Sequence, residues 1–168
     1  MGRTGAGASA TTLSTMIRRG GAQDVPFLRD MLRHAYYARW GEDENDGIPL
    51  SRYVEGWGRR GDTALVEIEG FQPVGAAWYR LFTAARPGYG FVDEQTPELT
   101  IAVVPSCRGK GYGKELLEAL LEKARGEGYA AVSLSVEPDN PALHLYERHG
   151  FVRVGEHGGA LVMRDQLG

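Results

Sequence analysis

The sequence predicts an α/β domain built on a mixed sheet. Two patterns carry that reading. Segments with an apolar period near two alternate along the chain with segments of helical period, and the strand-like "ELTIAVV" (98–104) runs through a glycine-rich turn, "SCRGKGYG" (106–113), into the helix "KELLEALLEKAR". A third observation is size: 168 residues with 42% hydrophobic content suit one core, since single domains commonly hold about 100–200 residues. The expected organisation is a flexible tail over 1–14, too poor in large apolar side chains to offset the entropy of ordering, and a single domain over 15–168.

Taken in order, "TMIRRG" (15–20) reads as a short strand. In "AQDVPFLRDMLRHAYY", Asp24 supplies an N-cap and Pro26 an early helical position. Phe27, Leu28, Met31, Leu32 and Ala35 recur at helical spacing, which predicts a helix over about 24–38. "ARWGEDENDGIPL" is polar and turn-rich, and "SRYVEGWGRR" reads as a second short helix. "DTALVEIEG" and "QPVGAAWYRLF" are two strands joined as a hairpin through "EGFQ". After the irregular "AARPGYGFVDEQTP" comes the strand 98–104, then the glycine turn. In the following helix Leu116, Leu117, Leu120, Leu121 and Ala124 form one apolar stripe, closed by Gly126 and Gly128. "AAVSLSV" (130–136) suits an interior strand, Asn140-Pro141 caps a helix ending at Gly150, and "FVRVG" and "ALVMRD" make two closing strands.

Composition removes several function classes. With 19 Lys plus Arg against 22 Asp plus Glu and no basic block, the chain lacks the positive surface on which nucleic-acid affinity depends. The single cysteine, Cys107, and four scattered histidines make no zinc-ligand cluster, so no metal is expected. No apolar run approaches the roughly 18–20 residues that span a bilayer, and the N-terminus lacks the apolar core of a signal peptide. No membrane association and a cytoplasmic location are the corresponding expectations.

A glycine turn before a helix suggests a phosphate site, because the first N–H groups of a helix lack partners and its dipole favours negative charge. A nucleotide-hydrolase loop needs Gly five residues before the Gly of Gly-Lys-Ser/Thr. Here that position is Arg108, and Glu115 follows Lys114. The dinucleotide pattern G-x-G-x-x-G fails as well, its third position being Lys114 or Leu116. What remains is Arg108-x-x-Gly111-x-Gly113 between a strand and a helix.

That pattern resembles the acyl-CoA pyrophosphate loop of the GNAT superfamily of N-acyltransferases, Arg/Gln-x-x-Gly-x-Gly/Ala. The similarity extends over "ELTIAVVPSCRGKGYGKELLEALLEKARGEGY" and over "LSVEPDNPALHLYERHGFVRVG", where Asn140, Tyr146, Gly150 and Phe151 fall on the family's positions, and "MIRRGGAQDVPFLRDML" is similar to its opening strand and helix. The resemblance implies a mostly antiparallel sheet of six to seven strands with about four helices and splayed parallel central strands. It also implies acetyl-CoA as co-substrate, and it leaves a homodimer open.

Each site residue has a chemical reason and an ordinary alternative. Arg108, Gly109, Lys110, Gly111, Tyr112, Gly113 and Lys114 would cradle the pyrophosphate, glycine letting the backbone approach closely and adopt positive φ; the alternative is an ordinary turn with solvated basic side chains. The resemblance implies that Val103 and Val104 pair through main chain with the pantetheine arm, and that Asn140 lies near a pantetheine amide, a role compatible with a plain helix cap. Tyr146 would supply a proton or hydrogen bond to the departing sulfur; alone, it reads equally as a core tyrosine.

An alkylammonium of pKa about 10.4 is neutral only about once in 10³ molecules at pH 7, so the acceptor needs a base. Glu98 is the candidate, directly or through water, unless it is a solvated strand end. "YYARWGEDENDG", with Tyr36, Tyr37, Trp40, Glu42, Asp43, Glu44 and Asp46, would suit a cationic amine or be a solvated acidic loop. The function expected is transfer of an acetyl group from acetyl-CoA to a primary amine, of a small molecule or of a peptide or protein, by direct attack. The alternative is a non-catalytic acyl-CoA-binding sensory or regulatory domain.

Overall fold

The computed structural model describes residues 14–36 and 47–168. Nearly all of the expected N-terminal tail, and Tyr37, Trp40, Glu42, Asp43, Glu44 and Asp46 of the acidic segment, lie outside them.

Seven strands form one sheet: β1 (Thr15–Arg19), β2 (Thr63–Glu69), β3 (Gln72–Arg80), β4 (Glu98–Val103), β5 (Ala131–Val136), β6 (Val152–His157) and β7 (Ala160–Gln166). Their spatial order is β1-β2-β3-β4-β5-β7-β6, and every neighbouring pair is antiparallel except β4 with β5. The mixed, mostly antiparallel sheet and its central parallel pair are therefore as the sequence and its resemblance implied. Three α-helices are present among the described residues: α1 (Val25–Ala35), α2 (Tyr112–Gly126) and α3 (Ala142–Arg148).

The fourth helix expected from "SRYVEGWGRR" is instead a 3-10 turn, Leu50–Tyr53. Gly56, Gly58 and Gly61 at φ +61°, +111° and +90° break the pattern, because those left-handed conformations cannot continue a right-handed helix.

Helices cover both faces of the sheet. The α2 stripe of Leu116, Leu117, Leu120, Leu121 and Ala124 is almost wholly buried against Leu65, Ala77, Leu99, Val132 and Leu134, together with Tyr146 of α3 and Phe151. Full burial of each such leucine contributes about 1.5–3 kcal/mol. On the opposite face Leu28, Met31 and Leu32 of α1 pack with Ala64, Ala76, Trp78 and Ala102. Odd-numbered residues of β4 thus face α2 and even-numbered ones face α1, the two-residue period of a strand. Among the described residues no helix is long and apolar enough to cross a membrane.

Candidate active site

β4 and β5 are in register at one point, Glu98 opposite Ser133, where the Ser133 N–H donates to the Pro97 carbonyl at 3.0 Å. Beyond it the strands part. The opening becomes a cavity of about 1090 Å³ whose lining includes Thr100, Ile101 and Val103 from β4, Ser135 from β5, Arg108 and Gly113 from the glycine turn, Asn140 just before α3 and Tyr146 within it.

At one end stands the glycine turn. Gly109 and Gly111 adopt φ +83° and +86°, conformations an L-residue enters only with strain. The helical bonds of α2 begin with Glu115 N–H to the Gly111 carbonyl, leaving the earlier amides for a ligand. A Cβ added to Gly113 would stand in open space beside the cavity, so an anion can reach the main chain there. Arg108 supplies a cationic side chain from the turn, and Arg33 also lies on the lining. Lys110 and Tyr112 point elsewhere: both bind the Glu69 carboxylate, Lys110 Nζ at 3.2 Å, and hold it below the usual carboxylate range, Tyr112 contributing most. The Tyr112 ring is buried against Val74 and Cys107, and Lys114 stands 3.9 Å from Glu118. What these three positions offer an anion is main chain and net charge.

Along the cavity wall one expectation needs correction. Val104 donates its N–H to the Val74 carbonyl at 2.8 Å, and its own carbonyl accepts from Cys107 N–H at 2.9 Å. Its N–H is committed to β3 and its carbonyl already has a partner in the turn that follows, so neither is presented to the parted edge. Since successive residues of a strand turn their N–H and C=O to opposite edges, the groups facing the parted edge belong to Ile101 and Val103. Asn140 lies on the lining and keeps both expected roles open: its Oδ1 accepts the Ala142 N–H at 2.9 Å, leaving its amide N–H groups available.

Tyr146 is on the lining, 6% exposed, with its ring 5.7 Å from Phe151. Burial pushes its phenol well above the ordinary value, so it is a neutral hydrogen-bond donor.

Glu98 is not the solvated strand end that its position in sequence allowed; it is 1% exposed. Tyr53 Oη donates to its Oε2. Burial raises the carboxyl to about 8, against the hydrogen bonds from Tyr53 and the Gly90 backbone that favour its charged form. Its Oε1 has no partner meeting hydrogen-bond geometry among the described residues, and neither have the hydroxyls of Thr100 and Ser133. Thr100 lies two residues along the same strand face and reaches the cavity, while Ser133 is the register partner of Glu98.

The loop through Gly88 and Gly90 roofs this cluster. A Cβ on Gly88 would strike Glu98 Oε1 and Tyr53 Oη, and one on Gly90 would come within 2.7 Å of Ser135 N on β5. Tyr36 and Tyr53 complete the wall with ring centroids 5.2 Å apart. Sequence reasoning missed Tyr53, Thr100, Ser133 and the two loop glycines. One signal was present: Glu98 and Thr100 are two polar residues at the two-residue spacing of an otherwise apolar strand.

Residues 25–151 match the family model described as Acetyltransferase (GNAT) family. An L-methionine sulfoximine/L-methionine sulfone acetyltransferase of Pseudomonas paraeruginosa is 30% identical over 148 residues, covering 86% of this chain and 84% of that protein. Among solved structures, a ribosomal-protein-alanine N-acetyltransferase from Brucella melitensis is 29% identical with a TM-score of 0.66, covering 90% of this chain and 99% of that one. The yncA protein of Salmonella typhimurium, solved with its cofactor acetyl-CoA, is 25% identical with a TM-score of 0.68 over 92% of this chain and 95% of that one.

Proposed function

Since this chain belongs to the GNAT acetyltransferase family, we propose that it moves an acetyl group from acetyl-CoA to a primary amine by direct attack, with Glu98 as general base and Tyr146 as donor to the departing sulfur. One observation carries the reading. The parting of β4 from β5 makes a cavity with exposed main chain at the glycine turn, an open strand edge at Ile101 and Val103, and the Tyr146 phenol and Thr100 hydroxyl on its lining, with the Glu98 carboxylate buried two residues from Thr100 behind it.

The residues fit the donor part by part. Arg108 and the amides from Gly109 to Lys114 suit the pyrophosphate, Ile101 and Val103 a strand-like arm, and Asn140 one of its amides. In the transfer the amine nitrogen bonds to the thioester carbon as the C–S bond breaks. Of the two protons that leave nitrogen, one goes to Glu98, through a water bridging from Thr100 because the carboxylate lies behind the lining. The other balances the proton that ends on sulfur. Tyr146, too weak an acid to lose its proton readily, stabilises that sulfur by donating a hydrogen bond.

For the acceptor we infer a small molecule bearing an α-amino group. The support is the Pseudomonas relative, named for methionine sulfoximine and methionine sulfone, together with a carboxylate that is enclosed rather than displayed on a broad surface. Thiol release from acetyl-CoA across methionine sulfone and other amino-acid derivatives, polyamines, aminoglycosides and peptides tests this. Fastest release with the amino-acid derivatives is the expected result, and a preference for peptides would overturn the small-molecule acceptor. Tight CoA binding with no release from any of these amines would favour the sensory alternative.

A further inference from the structure

Glu98 is held by a side chain that no sequence motif flagged. Tyr53 Oη donates to Glu98 Oε2 and accepts the Tyr89 N–H at 2.8 Å, so the direction of its proton is set. Its ring is clamped between Tyr36 and Phe82, both with centroids 5.2 Å away, and its own carbonyl accepts Trp78 Nε1–H at 3.1 Å. One carboxylate oxygen is thereby occupied; the other, Oε1, has no partner meeting hydrogen-bond geometry among the described residues and lies under Gly88.

Resting on the reading of Glu98 as base, we propose that Tyr53 is the positioning residue of this site: it fixes Oε2 so that the unpartnered Oε1 is the oxygen that takes the acceptor's proton, and it stabilises the charged carboxylate. The step is a plain proton transfer from ammonium, relayed by the bridging water, to Oε1, and Tyr53 keeps its own proton. Among the described residues the titratable groups coupled to the Glu98 charge are phenols, Tyr36 from the end of α1 and Tyr53 from the 3-10 turn.

A residue that only packs would not tune an ionisation, so the test is the pH dependence of kcat/KM. In the wild type the ascending limb reports the loss of the Glu98 proton. Tyr53→Phe keeps the ring and removes the hydrogen bond to the charged form, so the limb moves toward alkaline pH by about one unit. Turnover near pH 7 falls about tenfold and approaches the wild-type value at the alkaline end. A fluorotyrosine at position 53, a stronger donor of nearly the same shape, moves the limb the other way, and it stands as an independent test if the phenylalanine variant folds poorly. Glu98→Gln abolishes the limb.

Equal loss at every pH in the Tyr53 variants, with the limb unmoved while Glu98→Gln removes it, overturns the positioning role and leaves the base. If the wild-type limb survives in Glu98→Gln, the base assignment fails and takes the positioning role with it.

Discussion

The two ends of the cavity are built by different means. At the glycine turn, the proposed donor site is one contiguous stretch, Arg108 to Lys114, that offers largely main chain, with the side chains of Lys110 and Tyr112 turned to Glu69. At the other end Tyr36, Tyr53, Glu98, Thr100 and Ser133 come from the residue that caps α1, a 3-10 turn and two strands, under the loop through Gly88, and what they offer is side chains. The Tyr53–Glu98 hydrogen bond spans 45 positions of sequence. Under the proposed function, a donor that is always the same molecule is held by a fixed loop, whereas chemistry on a variable acceptor draws on the tertiary fold.

The sharpest way to break this comparison is to put a side chain where the donor end has only backbone. Gly113→Asp suits this better than a change at Gly109 or Gly111, because Gly113 lies within α2 and its added Cβ meets nothing. The fold should tolerate it, with a melting temperature within about 3 °C of wild type, as for an unstrained surface substitution. The carboxylate would occupy the anion's place at the helix N-terminus and reverse the local charge. Calorimetry should show CoA affinity reduced about a hundredfold or more; near-normal affinity would move the pyrophosphate away from this turn. A smaller effect is expected from Tyr146→Phe at the other end: turnover about tenfold lower with CoA affinity unchanged, the loss of one donor to a developing charge. Equal losses in affinity and turnover would show that Tyr146 serves binding.

The same difference decides how much of each end is legible in the amino-acid sequence. The α2 stripe, the glycine spacing and the alternation of β4 are local patterns, so the helix, the turn and the strand followed from their own residues. The helix expected after Ser51 failed because its apolar positions sit among glycines that adopt positive φ. Val104 was misassigned for a subtler reason: its type fits a strand, but which edge its N–H faces depends on the register with β3, which no residue of β4 encodes alone. Tyr53 was legible only as an aromatic in a polar segment. Its role exists because a turn, a loop and two strands meet around Glu98.

Both ends also hold a buried carboxyl, and their pH dependence separates them. Glu98 is raised to about 8 by burial; Glu67, under the first turn of α2, is raised to about 7 by burial and then by Glu115. Below about pH 4.5 a carboxyl is protonated in both folded and unfolded chains and contributes nothing. As pH rises, the unfolded chain ionises first, so the folded state binds more protons and loses stability with increasing pH. That loss is complete near pH 7 for Glu67 but continues to about pH 8 for Glu98. Between about pH 4.5 and 8 it amounts for Glu98 to on the order of 5 kcal/mol as an upper bound. A glutamine accepts the Tyr53 hydrogen bond without ionising, so Glu98→Gln should melt several degrees above wild type at pH 8 and close to it at pH 5. Glu67→Gln should show the same sign with a smaller gain that stops growing near pH 7. A Glu98→Gln gain independent of pH would mean that the carboxyl is already ionised in the folded protein across this range, and that the base is poised by something other than burial.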